Sequence, residues 1–170
     1  MNTNRLKTIL TLLLMMILAS VGCGKGAGTG KPAPDFLLQE ISGTKVSLKG
    51  LKGKVVIIDF WATWCPPCLM SIPELVGLQE KYGQNGLTIV GISVDDPGQV
   101  SDTDLTAFTE KRKMNYPVVR ADERVLRDYF ANEESMAIPT MFLIDRQGMI
   151  TEKKVGFAPG SVEKAIKKLL

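Results

Sequence analysis

An apolar run, Val55-Val56-Ile57-Ile58, passes through Asp59-Phe60-Trp61 into Ala62-Thr63-Trp64-Cys65-Pro66-Pro67-Cys68, and the apolar spacing beyond it is helical. This order sets a Cys-x-x-Cys pair in the turn between a strand and a helix. The thiolate is the reactive form of cysteine, and a helix start stabilises it through unpaired N–H groups and the helix dipole. The second thiol, one turn on, is close enough to close a disulfide. The pattern points to dithiol–disulfide exchange.

Strands and helices alternate around this unit. Residues 34–38 and 45–48 read as short strands about a Ser42-Gly43 turn, and 54–61 as a buried strand. Residues 66–82 read as a helix, with Leu69, Ile72, Leu75, Val76 and Gln79 near one face. Pro73 lies inside it and is expected to kink it, because its ring blocks a hydrogen bond to the preceding turn. A second buried strand follows at 87–94, then helices at 103–113 and 123–130. Residues 140–145 and 149–155 form a hairpin across Arg146-Gln147-Gly148. The last helix is expected over 161–170, with Ser161 as its N-cap. This alternation predicts one α/β domain, a mixed sheet flanked by helices, over residues 32–170.

The N-terminus reads differently. Arg5 and Lys7 precede an apolar run from Ile9 to Ala19, and small residues follow up to Cys23. That is the order of a secretory signal over residues 1–22, shorter than the roughly 20 apolar residues of a comfortable membrane span. Val21-Gly22-Cys23 resembles a bacterial lipobox, which makes Cys23 the expected lipidation site; Ser20 departs from the usual Leu three positions before the cysteine. An unpaired thiol there is a hazard in an oxidising compartment, which favours the lipid. Residues 23–31 are Gly-rich and read as a flexible tether. Loss of residues 1–22 lowers the formal charge from +3 to +1, a balance that points to no nucleic-acid partner.

Asp59-Phe60-Trp61-Ala62-x-Trp64-Cys65-x-Pro67-Cys68 is close to the thioredoxin signature, and the chain resembles the thioredoxin superfamily. Pro34-Asp35-Phe36, Gly53-Lys54-Val55-Val56, the inserted helix near 103–113 and Ile138-Pro139-Thr140 resemble its membrane-tethered TlpA/ResA branch. The resemblance implies a thioredoxin-like fold with an N-terminal β extension and an inserted helix. It also implies an extracytoplasmic, membrane-tethered reductase. Such an enzyme takes electrons from a membrane thiol donor and passes them to disulfides in secreted proteins, apocytochrome c among them. The branch often has Glu three residues after the second cysteine; here Ser71 stands there, and Glu74 is the nearest acid.

Cys65, nearer the turn, is expected to attack, and Cys68 to resolve the mixed disulfide. Asp59, on an otherwise apolar strand at the place of the thioredoxin buried acid, is expected to exchange a proton with Cys68, because burial raises a carboxyl pKa. Trp64, Pro66, Pro67, Ile138 and Pro139 are the expected substrate-binding residues. By resemblance the bond before Pro139 is cis. Trp61 is read as core and Met136 as loop packing or groove lining. Neither a metal nor a cofactor is expected: the chain has no His and three Cys, short of the four ligands of a tetrahedral site. Two rivals remain. A thiol peroxidase has Thr three positions before its reactive cysteine, where this chain has Ala62. A tethered copper carrier has a three-residue cysteine spacing and a distant His, which this chain lacks.

Overall fold

A computed structural model describes residues 30–131, 133 and 135–170. The expected signal, most of the tether and Cys23 lie outside the described residues. The elements in chain order are β1 (Leu37–Gln39), β2 (Lys45–Ser47), β3 (Val55–Trp61), α1 (Pro66–Tyr82), β4 (Leu87–Ser93), α2 (Asp102–Lys111), β5 (Val118–Arg120), α3 (Glu123–Phe130), β6 (Thr140–Ile144), β7 (Ile150–Val155) and α4 (Ser161–Ile166). The main sheet has the order β5-β4-β3-β6-β7. Strands β3, β4 and β5 are parallel, and β6 and β7 run antiparallel to their neighbours.

All seven residues of β3 and of β4 are buried, as befits parallel strands covered on both faces. Side-chain alternation sorts them into two layers. Val55, Ile57 and Trp61 pack with Ile72, Leu75 and Leu78 of α1, Leu105 of α2, and Val162 and Ile166 of α4. Val56, Ile58 and Phe60 pack with Val125, Tyr129 and Phe130 of α3 and with Phe36, Leu38 and Leu48 of the N-terminal extension. The β1–β2 hairpin reaches the β5 edge: Glu40 bridges Val119, and Ile41 N–H donates to Val118 C=O at 3.0 Å. That cover protects an edge that would otherwise present unpaired backbone groups.

The structure departs from expectation at particular elements. Strand β1 starts at Leu37, not at residue 34, because the preceding groups are used elsewhere. Pro34 C=O accepts from the Tyr129 hydroxyl at 2.8 Å, and Asp35 Oδ1 from Lys49 N–H at 2.9 Å. Strand β5 has no counterpart in the sequence reading. Helix α1 keeps its expected bounds and runs through Pro73 without interruption. Ser161 is not a cap: Gly160, at φ +71°, holds that position with no side-chain hydrogen bond. Helix α4 ends at Ile166, where Leu169 N–H turns back to Ile166 C=O and Arg146 Nη2 takes Leu170 C=O at 3.1 Å. The same arginine donates to Gly53 and Asn85 carbonyls, joining three chain segments. Contacts begin before the expected boundary at residue 32. Lys31 C=O accepts from Ile150 N–H at 2.9 Å, and a Cβ on Gly30 would lie 1.6 Å from Ile150 O, so only glycine fits there.

Candidate active site

The parallel strands β3 and β4 end side by side, and the chain leaving β3 turns straight into α1. Cys65 N–H closes that turn on Ala62 C=O at 3.2 Å. Cys65 is the N-cap of α1, and Pro66 and Pro67 occupy its first helical positions. Proline suits these positions because its fixed φ is helical and its missing N–H would be unpaired there. The first side-chain-directed donor is therefore Cys68 N–H, 3.3 Å from Cys65 Sγ. Cys65 and Cys68 form a disulfide, with S–S 2.05 Å and Cα atoms 5.3 Å apart. The molecule is thus the oxidised member of a dithiol–disulfide couple. Cys65, the thiol nearer the turn, is 3 % exposed in this state and Cys68 0 %. Access to the sulfur comes from the Cys65 side, and narrowly.

The rim is apolar. Trp64 is 65 % exposed, Pro66 and Pro67 are exposed, and Met70 projects one turn further along α1. Ile138 is half-buried against the same core layer as the disulfide, and Met136 is exposed near it in sequence. The Ile138–Pro139 bond is cis, and Pro139 is buried. Among the described residues, neither backbone polar group of Ile138 has a hydrogen-bond partner. Trp61, in contrast, is buried and stacks on Phe108 with centroids 5.5 Å apart.

Two buried carboxylates lie under this turn. Asp59 is on β3, paired with Gly91 of β4 and Met141 of β6, and faces the layer that holds Cys65 and Cys68. It is 0 % exposed, and neither carboxylate oxygen has a hydrogen-bond partner among the described residues. Burial alone pushes its pKa up to about 7, since desolvation disfavours the charged form. Asp95, just past β4, was missed in the sequence. Its carboxylate accepts from Thr63 N–H at 3.1 and 3.2 Å, from Thr63 Oγ1 at 2.7 Å and from Ser93 Oγ at 2.9 Å. Thr63 lies two residues before Cys65, so Asp95 anchors the approach to the disulfide. Arg120 Nη1 donates to the Asp95 carbonyl at 3.3 Å and so ties this corner to β5. An acid just past a buried parallel strand was the available signal, because sites gather at the carboxyl ends of such strands. Ser71 is buried and donates to Cys68 C=O at 2.8 Å.

The two rivals meet this geometry differently. The Thr63 hydroxyl donates to Asp95 and Ala62 has none, so neither residue offers a free hydroxyl donor to a peroxide at Cys65. Among the described residues no group of three or more His, Cys, Asp and Glu side chains is placed to hold a metal ion. A cavity of about 220 Å³ lies at the other end of β3, lined by Lys49, Lys52, Lys54, Asp35 and Asp145 among others, away from the thiols. Among the described residues no helix is long and apolar enough to cross a membrane.

Comparison with known proteins gives a consistent picture. The profile described as the AhpC/TSA family matches residues 29–153. The chain is 34% identical over 131 residues to the thioredoxin-like protein YneN of Bacillus subtilis (strain 168), covering 77% of this chain and 74% of that one. It is 33% identical over 128 residues to the thiol-disulfide oxidoreductase ResA of Bacillus thuringiensis (strain Al Hakam), covering 75% and 69%. A crystal structure of a thiol:disulfide interchange protein of the thioredoxin family from Chlorobium tepidum TLS superposes with a TM-score of 0.74 at 31% identity, covering 82% of this chain and 96% of that one.

Proposed function

Because this chain belongs to the AhpC/TSA family, and to the thiol-disulfide oxidoreductases of thioredoxin-like fold, we propose that it reduces disulfides in secreted proteins outside the cytoplasm, held to a membrane by its N-terminus. The observation that carries the reading is the Cys65–Cys68 disulfide at the start of α1 beneath an exposed apolar rim. Trp64, Pro66, Pro67 and Ile138 offer an extended client segment an apolar seat, and the Ile138 backbone, which has no partner among the described residues, offers it strand-like hydrogen bonds. The lipobox-like Val21-Gly22-Cys23 supports the tether through Cys23. Apocytochrome c is the client class that the resemblance favours.

In the working direction a membrane thiol donor reduces Cys65–Cys68 to the dithiol. The Cys65 thiolate attacks one sulfur of the client disulfide, and the other client sulfur leaves as a thiolate. Cys68 then gives its proton to Asp59 and attacks Cys65 Sγ. The second client sulfur leaves, two electrons have passed to the client, and the Cys65–Cys68 bond is restored.

The prolines support reduction over oxidation. A couple becomes oxidising when its reduced form is stabilised, chiefly through the attacking thiolate. Pro66 and Pro67 remove two N–H groups that another dipeptide would aim near that thiolate, leaving Cys68 N–H at 3.3 Å. Redox titration of the couple tests the reading. A midpoint near about −270 mV supports a thioredoxin-like reductant, and one near about −120 mV overturns the direction. Cys68→Ser should trap client proteins as mixed disulfides on Cys65; equal trapping by Cys65→Ser would reverse the assignment of the two thiols.

A further inference from the structure

Four buried polar atoms at one place in the fold have no hydrogen-bond partner among the described residues: Oδ1 and Oδ2 of Asp59, Nε1 of Trp61 and the hydroxyl of Tyr116. Buried polar atoms are nearly always satisfied, so each such atom calls for an explanation, and a group of them calls for a shared one. The fold brings them together through Gly91. Gly91 pairs with Asp59 on β3 and with Val118 on β5. Trp61 lies two residues beyond Asp59 on the same face, and Tyr116 two residues before Val118 in the same core layer. A Cβ on Gly91 would lie 2.9 Å from Trp61 Nε1 and 3.3 Å from Tyr116 Cε2. The missing side chain lets both polar aromatics close over the strand beside Asp59.

No hydrogen bond joins the Tyr116 hydroxyl to Asp59; burial raises the phenol pKa well above the ordinary value, and the Asp59 carboxylate charge, which reaches the phenol, adds to it. A polar pair that interacts without direct contact is the arrangement a bridging water serves. A buried water needs two to four polar partners, and these atoms supply them. We propose that Tyr116 is a positioning residue for Asp59: its hydroxyl and the Trp61 indole N–H hold one buried water against the carboxylate, through which Tyr116 donates to the ionised form. On the same face Met141 of β6 pairs with Asp59, and Lys154 of β7 pairs with Met141 and so brings a cation to that face, where its Nζ meets Glu152 Oε1 at 2.6 Å. Cys65 and Cys68, Leu105 and Phe108 of α2, and Val162 and Ile166 of α4 complete the layer. Glu74 of α1 is turned to Gly160 N–H at 3.0 Å. A donor to the anion lowers a carboxyl pKa, so Tyr116 counters part of what burial raises.

The kinetic consequence rests on the proposed role of Asp59 as the proton acceptor of Cys68; the water site does not. The test is Tyr116→Phe in the full, reduced chain, with the Asp59 carboxyl carbon followed by NMR across pH and release of a mixed disulfide followed in parallel. The carboxyl midpoint should rise by about half to one pH unit, the size of one neutral hydrogen bond expressed as a proton equilibrium. The release profile should move alkaline by the same amount. If the carboxyl moves and the release profile does not, the Tyr116 inference stands and the catalytic role of Asp59 falls. A carboxyl titration that overlays the wild type overturns the inference whatever the rates do. A second measurement needs no variant: magnetisation transfer in the wild type from a long-lived water to the Trp61 indole proton. Its absence also overturns the inference.

Discussion

The C-terminal ends of β3 and β4 each bring a buried aspartate beneath the disulfide turn, and the two are treated in opposite ways. Asp95 accepts two hydrogen bonds from Thr63 N–H, one from the Thr63 hydroxyl and one from Ser93. Asp59, one strand over, has no hydrogen bond among the described residues, and burial pushes its pKa up to about 7. A carboxylate held by several donors fixes geometry. One without partners in an apolar layer is costly to ionise, and its proton is exchangeable near neutral pH. Position on neighbouring strand ends therefore does not decide what a buried acid does; the donors around it do.

The largest expected effect breaks the comparison at Asp59. Its folded pKa, about 7, lies above its ordinary 3.8. Between those values the folded state keeps a proton that the unfolded state has lost, so this group's contribution to stability falls as pH rises. It is complete below the unfolded value and is lost as pH passes the folded one. At 1.36 kcal/mol per unit the swing is on the order of 4 kcal/mol. Chemical denaturation of wild type and Asp59→Asn should show the variant gaining that much relative to wild type between about pH 4 and about pH 8. Parallel stability curves would mean that Asp59 ionises freely in the fold.

Asp95→Ala attacks the other acid. It leaves the Thr63 N–H, the Thr63 hydroxyl and the Ser93 hydroxyl without their acceptor in a buried corner, at a cost of about 3 kcal/mol. The potential of the Cys65–Cys68 couple should shift as well, because Thr63 no longer holds the approach to Cys65. Denaturation and redox titration of the same preparation check both parts. A destabilised variant with an unchanged potential would confine Asp95 to folding.

The third effect is kinetic. Asp59→Asn keeps the shape and removes the proton acceptor, so release of the mixed disulfide should slow by about 10²-fold near pH 7, the low end of general acid–base help. The deficit should shrink toward pH 8.5, where a free thiol ionises unaided. Stopped-flow reduction of a disulfide substrate across pH reads it, and an overlaid profile would leave Asp59 a structural residue.

Much of this site was legible from sequence because it is local. Strand, turn and helix from Val55 to Tyr82 are contiguous, and Pro66 and Gly83 punctuate the helix. Asp59 stands out as the acid in an apolar strand, which is enough to place it in the core. What stayed hidden depends on contacts far apart in the chain. Asp95 matters because it meets Thr63, thirty-two residues away, and Tyr116 because it closes over Gly91. Strand β5 is three residues long, too short to show a period, and exists through its pairing with residues 91–93. Helix α4 ends early because Arg146 and the final carbonyls set its terminus, a tertiary contact no periodicity displays.

The smallest effect sharpens the Asp95 side. Thr63→Val removes one of the donors to Asp95, the hydroxyl at 2.7 Å, and leaves the backbone N–H and Ser93 in place. One hydrogen bond to a charged group is worth about 1.5 kcal/mol. The added methyl must also replace an oxygen in a half-buried position, so the exchange is not volume-neutral in its chemistry. The loss should be about half that of Asp95→Ala, and Thr63→Ser, which keeps the hydroxyl, should recover most of it. The redox potential should stay near the wild-type value in both, because Thr63 N–H still ties the turn to the carboxylate. Denaturation midpoints of Thr63→Val and Thr63→Ser, measured beside Asp95→Ala, decide the matter. If Thr63→Val costs as much as Asp95→Ala, the hydroxyl alone anchors the turn and the backbone contact is incidental. If it costs nothing, the backbone N–H and Ser93 suffice to hold the Asp95 carboxylate in place, and the contrast with Asp59 rests on those donors alone.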